Sequence, residues 1–390
     1  MIRIGKEESN AVAELIEQGK IFRYGPDDEC GHFERRYSEF LGVNHSVLCS
    51  SGTAALTAGL GGLGIGPGDE VIVPAHTYMA TAMAVLSVGA IPVIIDIDES
   101  ITMDPLALAD AIGPRTRAVI PVHMWGHLCD MDAIMAIAGK HDLLVMEDAC
   151  QCVCGFYHGR AAGSIGNVGA FSFNYFKNMT CGEGGAVVTS DDSIIERVRC
   201  MIDPCNFYWK GRQPTFDAFA GNGSRASEFE GTVLNAQLDR VPALIDSLRA
   251  NKKKILEETA ASGLTPIPCH SPEGECATTI IVNFPSAETA ETFATASEGT
   301  ILANTGRHNY TEWDPVLAHQ GAHHPALNPY TLPQNAACRK DYSLDMCSRS
   351  LEILARTVSL PNRIDCTDED LEGLARRLNE AAAPILAKAV

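Results

Sequence analysis

From residue 45 to residue 190 the chain alternates short runs that are apolar at consecutive positions with stretches of helical spacing, and this alternation constrains the fold more than any other feature. The runs are 46–50, 70–73, 91–96, 117–122 and 143–146, and the helical stretches are 52–63, 78–88, 104–112 and 130–140. A strand that is apolar on both faces must be covered on both faces, and strands alternating with helices pair in parallel. The expectation is an α/β fold, with a mostly parallel sheet between helical layers. Two more strands, 170–174 and 185–189, flank a short polar loop, and a helix over 192–203 closes the block. Residues 204–226, rich in Gly, Asn, Arg and aromatics, read as a long loop of the kind that is often functional. One helix over 229–258 is expected next, with Leu234, Leu238, Val241, Leu244 and Leu248 along one face. The chain leaves the first domain at 245–260, which gives a large domain over 1–250 and a smaller one over 251–390. The smaller part holds a strand at 278–282, a His/Pro-rich loop at 305–335 and two terminal helices. The last helix is opened by Thr367, with Asp370 in the capping-box position.

The 49 acidic and 30 basic side chains leave a net charge of −19. That balance speaks against a basic nucleic-acid face and against docking on anionic membranes. No run reaches the ~18 apolar residues of a membrane span. Residues 1–8 carry no hydrophobic signal region, so a cytoplasmic protein is expected. The 14 cysteines are scattered, unlike a small secreted disulfide framework, and are expected to be reduced. Cys150, Cys152 and Cys154 alternate as they would along one face of a strand, without the paired spacing of a zinc site. His319 and His323 are four apart, but Gly321 and Pro325 argue against the helix that would align them. No metal site is expected in either place.

Three stretches carry chemistry. Ser50-Ser51-Gly52-Thr53-Ala54-Ala55 sits at a strand-to-helix transition, where free N–H groups, the helix dipole and small side chains favour a phosphate. Taken alone it is more simply an N-cap. Glu147-Asp148-Ala149-Cys150-Gln151 follows a buried strand, at the strand end where open α/β sheets bind ligands. Taken alone it is more simply a solvated loop. Phe171-Ser172-Phe173-Asn174-Tyr175-Phe176-Lys177, followed by Gly182-Glu183-Gly184-Gly185, sets one lysine among aromatics. Such a setting desolvates an amine and favours Schiff-base chemistry, although alone the lysine reads as a surface residue of a hairpin. Together the three supply a phosphate cradle, an acid for a pyridinium nitrogen and an imine-forming lysine. Those are the requirements of pyridoxal 5′-phosphate (PLP).

On these residues the sequence resembles the DegT/DnrJ/StrS family of PLP-dependent sugar aminotransferases. The matching stretches are Ser51-Gly52-Thr53-Ala54-Ala55-Leu56, Gly68-Asp69-Glu70-Val71-Ile72-Val73-Pro74, Glu147-Asp148-Ala149-Cys150-Gln151, Ser172-Phe173 with Lys177, and Gly182-Glu183-Gly184-Gly185. The resemblance implies an aspartate aminotransferase-like fold (PLP fold type I), with a smaller C-terminal α+β domain. It implies that Lys177 forms the Schiff base and shuttles the proton, and that Asp148 pairs with the pyridinium nitrogen. Gly52, Thr53 and Ser172 would hold the phosphate, Tyr78 would stack on the ring, and Gln151 would lie near the phenolic oxygen. It also implies a homodimer with shared sites.

One motif departs from the family. Where Gly-x-Asn-x-Arg is usual, the chain reads Gly221-Asn222-Gly223-Ser224-Arg225, so Gly223 stands at the Asn position and Asn222 replaces it only after a local shift. Arg225 matches the motif and reads equally as an ion-pair residue. Glu183, His123, Met124 and the loop histidines His308, His319, His323 and His324 are further candidates.

The reaction the resemblance implies moves an amino group from glutamate or glutamine to a keto or aldehyde carbon of a sugar. Nucleotide-linked keto-sugars and cyclitols are family substrates. The stretches around Val122-His123-Met124, Cys150-Gln151, Thr180-Cys181-Gly182-Glu183-Gly184-Gly185 and Asp345-Met346-Cys347-Ser348-Arg349-Ser350 resemble the family branch that makes 8-amino-3,8-dideoxy-manno-octulosonate, an amino version of a lipopolysaccharide sugar acid. Related sugar dehydratases carry histidine in place of the lysine, so Lys177 argues against that reading. A non-catalytic PLP-binding regulator would need a DNA-binding module, for which no segment has the charge.

Overall fold

The computed structural model describes residues 4–25 and 28–389, so the first three residues of the segment read above for a signal lie outside it. Two helices, α1 (Lys6–Gln18) and α2 (Glu29–Leu41), precede the alternating block. That block runs β1 (His45–Cys49), α3 (Gly52–Gly62), β2 (Glu70–Pro74), α4 (Ala80–Ser87), β3 (Ile91–Ile95), α5 (Pro105–Ala111), β4 (Thr116–Val119), α6 (Met131–Lys140) and β5 (Leu144–Asp148). A two-stranded hairpin, β6 (Phe156–Tyr157) and β7 (Arg160–Ala161), leads to β8 (Val168–Ser172), β9 (Gly185–Thr189) and α7 (Asp192–Ile202).

Seven strands form one sheet in the order β1-β9-β8-β5-β4-β2-β3. All its pairings are parallel except those of β9, which runs against both β1 and β8. The doubly apolar runs explain the layers. Successive side chains of a strand point to opposite faces, so β2 sends Val71 and Val73 into one core and Ile72 into the other. The first core is closed by α3, α4 and α7, and the second by α2, α5 and α6.

The stretch 204–226 is not wholly loop, since it contains α8 (Cys205–Trp209). The single helix expected over 229–258 is two, α9 (Glu228–Leu238) and α10 (Val241–Thr259). Pro242, in the first turn of α10, lacks an N–H and would collide with the carbonyl of Leu238 in a continuous helix. The apolar stripe runs through the break, because both helices contribute to the second core. The cysteine alternation also fails as a strand. Residues 150–154 are turn, and Cys154 is left-handed at φ 69.

Beyond α10, β10 (Thr265–Pro266), β11 (Thr279–Asn283), α11 (Ala287–Ser297), β12 (Thr300–Ile301), α12 (Asp314–Leu317), α13 (Ser348–Ala355), β13 (Thr357–Pro361) and α14 (Asp368–Ala389) follow. The four strands form a second, antiparallel sheet, and α11 and α14 close a third core around Ile280, Val282, Phe293, Leu360 and Leu378. Thr367 and Asp370 satisfy one another's backbone N–H groups at 2.8 and 3.2 Å, as their spacing predicts. Between the two sheets the chain returns to the large one. Leu302, Tyr310, Trp313, Val316, Ile353 and Leu354 belong to the first core. Among the described residues no helix is long and apolar enough to cross a membrane.

Candidate active site

The C-terminal ends of β1, β8 and β5 lie along the same edge of the sheet, with the antiparallel β9 between β1 and β8, and each delivers one of the three sequence stretches. After β1, Ser51 caps α3 by accepting the N–H of Ala54 at 3.1 Å. Helix geometry leaves the N–H groups of Gly52 and Thr53 without an intrahelical acceptor. Gly52 is there because nothing larger fits. A Cβ at this position would stand 2.7 Å from Cβ of Ser172 and 3.1 Å from Sγ of Cys150. Ser172, the last residue of β8, is buried with its hydroxyl at this helix end. The arrangement gives two free N–H groups and a hydroxyl at a dipole terminus, which suits a phosphate.

Asp148 ends β5 and is 4 % exposed. Its Oδ2 accepts the Thr81 hydroxyl at 2.8 Å and its Oδ1 the N–H of Cys150 at 3.1 Å. Thr77 and Thr81 join hydroxyls at 2.8 Å, so a short polar chain from the start of α4 fixes the carboxylate. The neighbouring Glu147 does different work. Fully buried, it accepts the N–H groups of Gly163, Ile165 and Gly166 at 2.9, 2.6 and 2.7 Å. It also meets Nε2 of His123 at 2.9 Å, while Nδ1 of His123 accepts the N–H of Cys129. Glu147 and His123 therefore staple the 158–167 turn to the sheet, and His123 does not approach a substrate.

Lys177 stands in the loop between β8 and β9, over a cavity of about 470 Å³ that it lines with Tyr78, Trp125, Cys150, Gln151, Asn174, Thr278 and His308. Of the aromatics around it in sequence, Phe176 lines this cavity, exposed at its rim. Phe171 and Phe173 are buried against Phe33 and Tyr37, and Tyr175 is exposed. Residues of other loops build the rest of the wall. Tyr78 and Trp125 each lie 5.4 Å, ring to ring, from His308. Burial, with the charge of Lys177 beside it, holds His308 below the ordinary imidazole range against a backbone hydrogen bond to Thr305 that raises it. Burial also pushes the Cys150 thiol well up, and the nearby Asp148 charge adds to this while Lys177 opposes it. Cys150 is thus the point where the helix end, the acid and the lysine meet.

Tyr78, Gln151 and Lys177 line the cavity; Gly52, Ser172 and Asp148 do not line it but cluster at Cys150, which does. Of the loop histidines only His308 arrives; His319 stacks on Tyr330 and donates to the Lys340 carbonyl. Met124 is buried in the first core, and the residue after it, Trp125, reaches the cavity. Trp125 is left-handed at φ 49, which turns it out of the strand direction. The signal for it in the sequence is weak, a tryptophan ahead of Gly126 at a strand end. Arg225 pairs with the buried Asp203 at 3.2 Å. Asn222 folds its side chain onto the N–H of Ser224, and Gly223 is left-handed at φ 73. Glu183 is exposed.

These residues fit PLP. Gly52 is the cradle that a Cβ would fill, Asp148 is a firmly held buried carboxylate, Lys177 is at the mouth, and the cavity lies in the ~300–1,000 Å³ range of small-molecule sites.

The chain is 40% identical over 264 residues, 67% of its length, to dTDP-3-amino-3,4,6-trideoxy-alpha-D-glucose transaminase of Streptomyces venezuelae. It is 41% identical over 214 residues, 54% of its length, to GDP-perosamine synthase of Caulobacter vibrioides. The matches span 66% and 56% of those relatives' own lengths. The crystal structure of S. venezuelae DesV in complex with a ketimine intermediate superposes with a TM-score of 0.74 at 30% identity, covering 96% of this chain and 94% of that one. The DegT/DnrJ/EryC1/StrS aminotransferase family model matches residues 2–379, and the chain belongs to that family.

Proposed function

We propose that the chain is a PLP-dependent aminotransferase that moves an amino group from glutamate or glutamine to a keto or aldehyde carbon of a sugar. The observation that carries this reading is the meeting of Lys177, Asp148 and the N-terminus of α3 at Cys150, which lines one cavity with Lys177. PLP, when bound, supplies an electron sink that stabilises the carbanion formed at the substrate carbon. The chain supplies the rest. The Gly52 and Thr53 N–H groups and the Ser172 hydroxyl would hold the phosphate. Asp148 would hold a proton at the pyridine nitrogen, with the Thr81 hydroxyl and Cys150 N–H keeping its carboxylate in place. Lys177 Nζ would anchor the cofactor and, as a free amine, take and return the proton at the substrate carbon. Tyr78, Trp125 and His308 form an aromatic wall on which the cofactor ring and the C–H face of a sugar can lie.

The acceptor is read as a sugar from the family and from the two sugar-named relatives. A sugar acid such as 8-oxo-3-deoxy-manno-octulosonate and a nucleotide-linked keto-sugar or cyclitol are the candidates to try. A cytoplasmic homodimer with shared sites, and a division of the chain near residue 250, belong to the same reading. Exposed Phe22, Tyr208 and Trp209, whose rings contact one another next to the 204–226 stretch, support a partner surface there. The test is the visible spectrum of the PLP-reconstituted protein with glutamate, then with 2-oxoglutarate, beside Lys177→Ala. A reversible change of the cofactor band that depends on Lys177 is expected. A lysine-bound cofactor whose band neither glutamate nor glutamine alters would overturn the transaminase reading.

A further inference from the structure

Near Trp125 and Thr278 in the chain, three side chains from distant segments meet. His127 follows the 124–126 turn, and Cys269 and Glu275 belong to the segment between β10 and β11. One ligand-type atom of each lies within 4.8 Å of the other two. Nδ1 of His127 and Oε2 of Glu275 are 3.5 Å apart. Bonds of ~2.0–2.3 Å to a tetrahedral zinc ion place its ligands about 3.3–3.8 Å from one another. One pair is therefore already at ligand spacing, and the thiol of Cys269 lies within 4.8 Å of both.

A second observation is independent of that spacing. His127 is 2 % exposed, and neither of its ring nitrogens has a hydrogen-bond partner. A neutral imidazole carries one donor and one acceptor, and leaving both unmet in the interior is rare enough to call for a missing ligand. Of the three, Glu275 also lines a cavity of about 680 Å³, together with Lys252, Leu256, Pro272 and Glu273. Lys252 reaches through its edge, with Nζ 2.7 Å from Oε2 of Glu275. An ammonium thus stands beside Glu275 as a cation would, on a flexible stem that can withdraw into the cavity.

The geometry points to a divalent-metal site of the zinc type, with His127, Cys269 and Glu275 as ligands. The donor set selects the metal. One imidazole, one thiolate and one carboxylate suit zinc, whereas magnesium and calcium take oxygen ligands alone. Binding displaces the Lys252 ammonium from Glu275 and releases the Cys269 thiol proton to solvent. The ion would tie the 267–276 segment to the loop that carries Trp125. Those two pieces already touch, since Cys276 donates to the Gly126 carbonyl and the Thr278 hydroxyl donates to the Trp125 carbonyl at 2.8 Å. This inference is independent of the proposed reaction, and its readout needs no activity.

The test is a titration of the chelator-stripped, full-length protein with Co²⁺ as probe, followed by Zn²⁺. One equivalent of Co²⁺ giving d–d bands and a thiolate charge-transfer band, both abolished by Zn²⁺, is expected. Cys269→Ser should remove the charge-transfer band, and His127→Gln should weaken binding at least tenfold. Lys252→Met, which removes the competing cation, should tighten it about tenfold. Cys269 is only partly buried, so its variant keeps the test decisive should a buried variant misfold. Failure to bind one equivalent, a charge-transfer band that survives Cys269→Ser, or a folded Lys252→Met protein that binds no more tightly than the parent would each overturn the site.

Discussion

Replacing Thr81 by valine tests whether the carboxylate at the end of β5 is held as described. Thr81 is 1 % exposed and its hydroxyl makes two hydrogen bonds of 2.8 Å, to Asp148 and to Thr77. Valine keeps the branched shape and removes both. A hydrogen bond to a charged group is worth about 1.5–3 kcal/mol and a neutral one about 0.5–1.5 kcal/mol. Water does not reach the vacated position to compensate. Thr81→Val is therefore expected to lose about 2–4 kcal/mol in urea unfolding of the cofactor-free chain, taking both bonds together with partial relaxation. Thr77→Val removes only the neutral bond and should lose about 0.5–1.5 kcal/mol. Cofactor affinity, followed by the absorbance of bound PLP, should fall in the same order. The reasoning is refuted if Thr81→Val stays within about 0.5 kcal/mol of the parent, or if Thr77→Val costs more.

Gly52→Ala forces a methyl group against Ser172 and Cys150, and PLP affinity measured by equilibrium dialysis should drop at least tenfold; an unchanged constant would remove Gly52 from the cradle. Glu147→Gln offers an NH₂ group to a site where three backbone N–H groups and His123 point at one carboxylate. It should cost about 3–5 kcal/mol in the same urea assay, and a loss below about 1 kcal/mol would show that the 158–167 turn is held by other means. Burial raises Glu230 from its ordinary value to about 7, against a backbone hydrogen bond to Ser227 and the charge of Arg23, which lower it. A raised carboxyl binds more protons folded than unfolded, so its contribution to stability is complete below the unfolded value and is lost as pH rises through the folded one. Between pH 5 and 8 the parent should lose this contribution, and Glu230→Gln, which can still cap Ser227, should show a flatter profile; parallel profiles would refute the assignment.

The large sheet was legible because its strands are apolar on both faces, a pattern only a covered sheet accommodates. The three chemical stretches were legible for a related reason, since each follows a strand directly and the parallel topology carries all three to one edge. The errors came from neighbours in sequence standing in for neighbours in space. Pro242 sits inside an unbroken apolar stripe, and the stripe hid the helix break. Of the aromatics near Lys177 in the chain only Phe176 lines its cavity, and the rest of the wall comes from Tyr78, Trp125 and His308 in three other segments. Cys150, Cys152 and Cys154 alternate like strand residues, but Asp148 ends its strand and the chain turns at once. The meeting of His127 with Cys269 and Glu275 has no local signature, because it depends on where the 267–276 segment docks.

The one reversed strand sets a timetable for the growing chain. β1 joins the sheet only through β9, with His45 opposite Thr189. The Ser51–Thr53 turn therefore leaves the ribosome with no strand to lean on. At ~5–20 residues per second, the 144 residues from His45 to Thr189 take about 7–30 s to make. A contact of such long sequence separation is also slow to close once available. Until then α3 can pack on β8, but the edge that steadies its N-terminus is missing. A polypeptide arrested before residue 185 would carry the acid, the lysine and the helix end, and still lack the strand that brings β1 beside β8. Cofactor capture is thereby made a late event in biogenesis, reserved for chains whose sheet is closed.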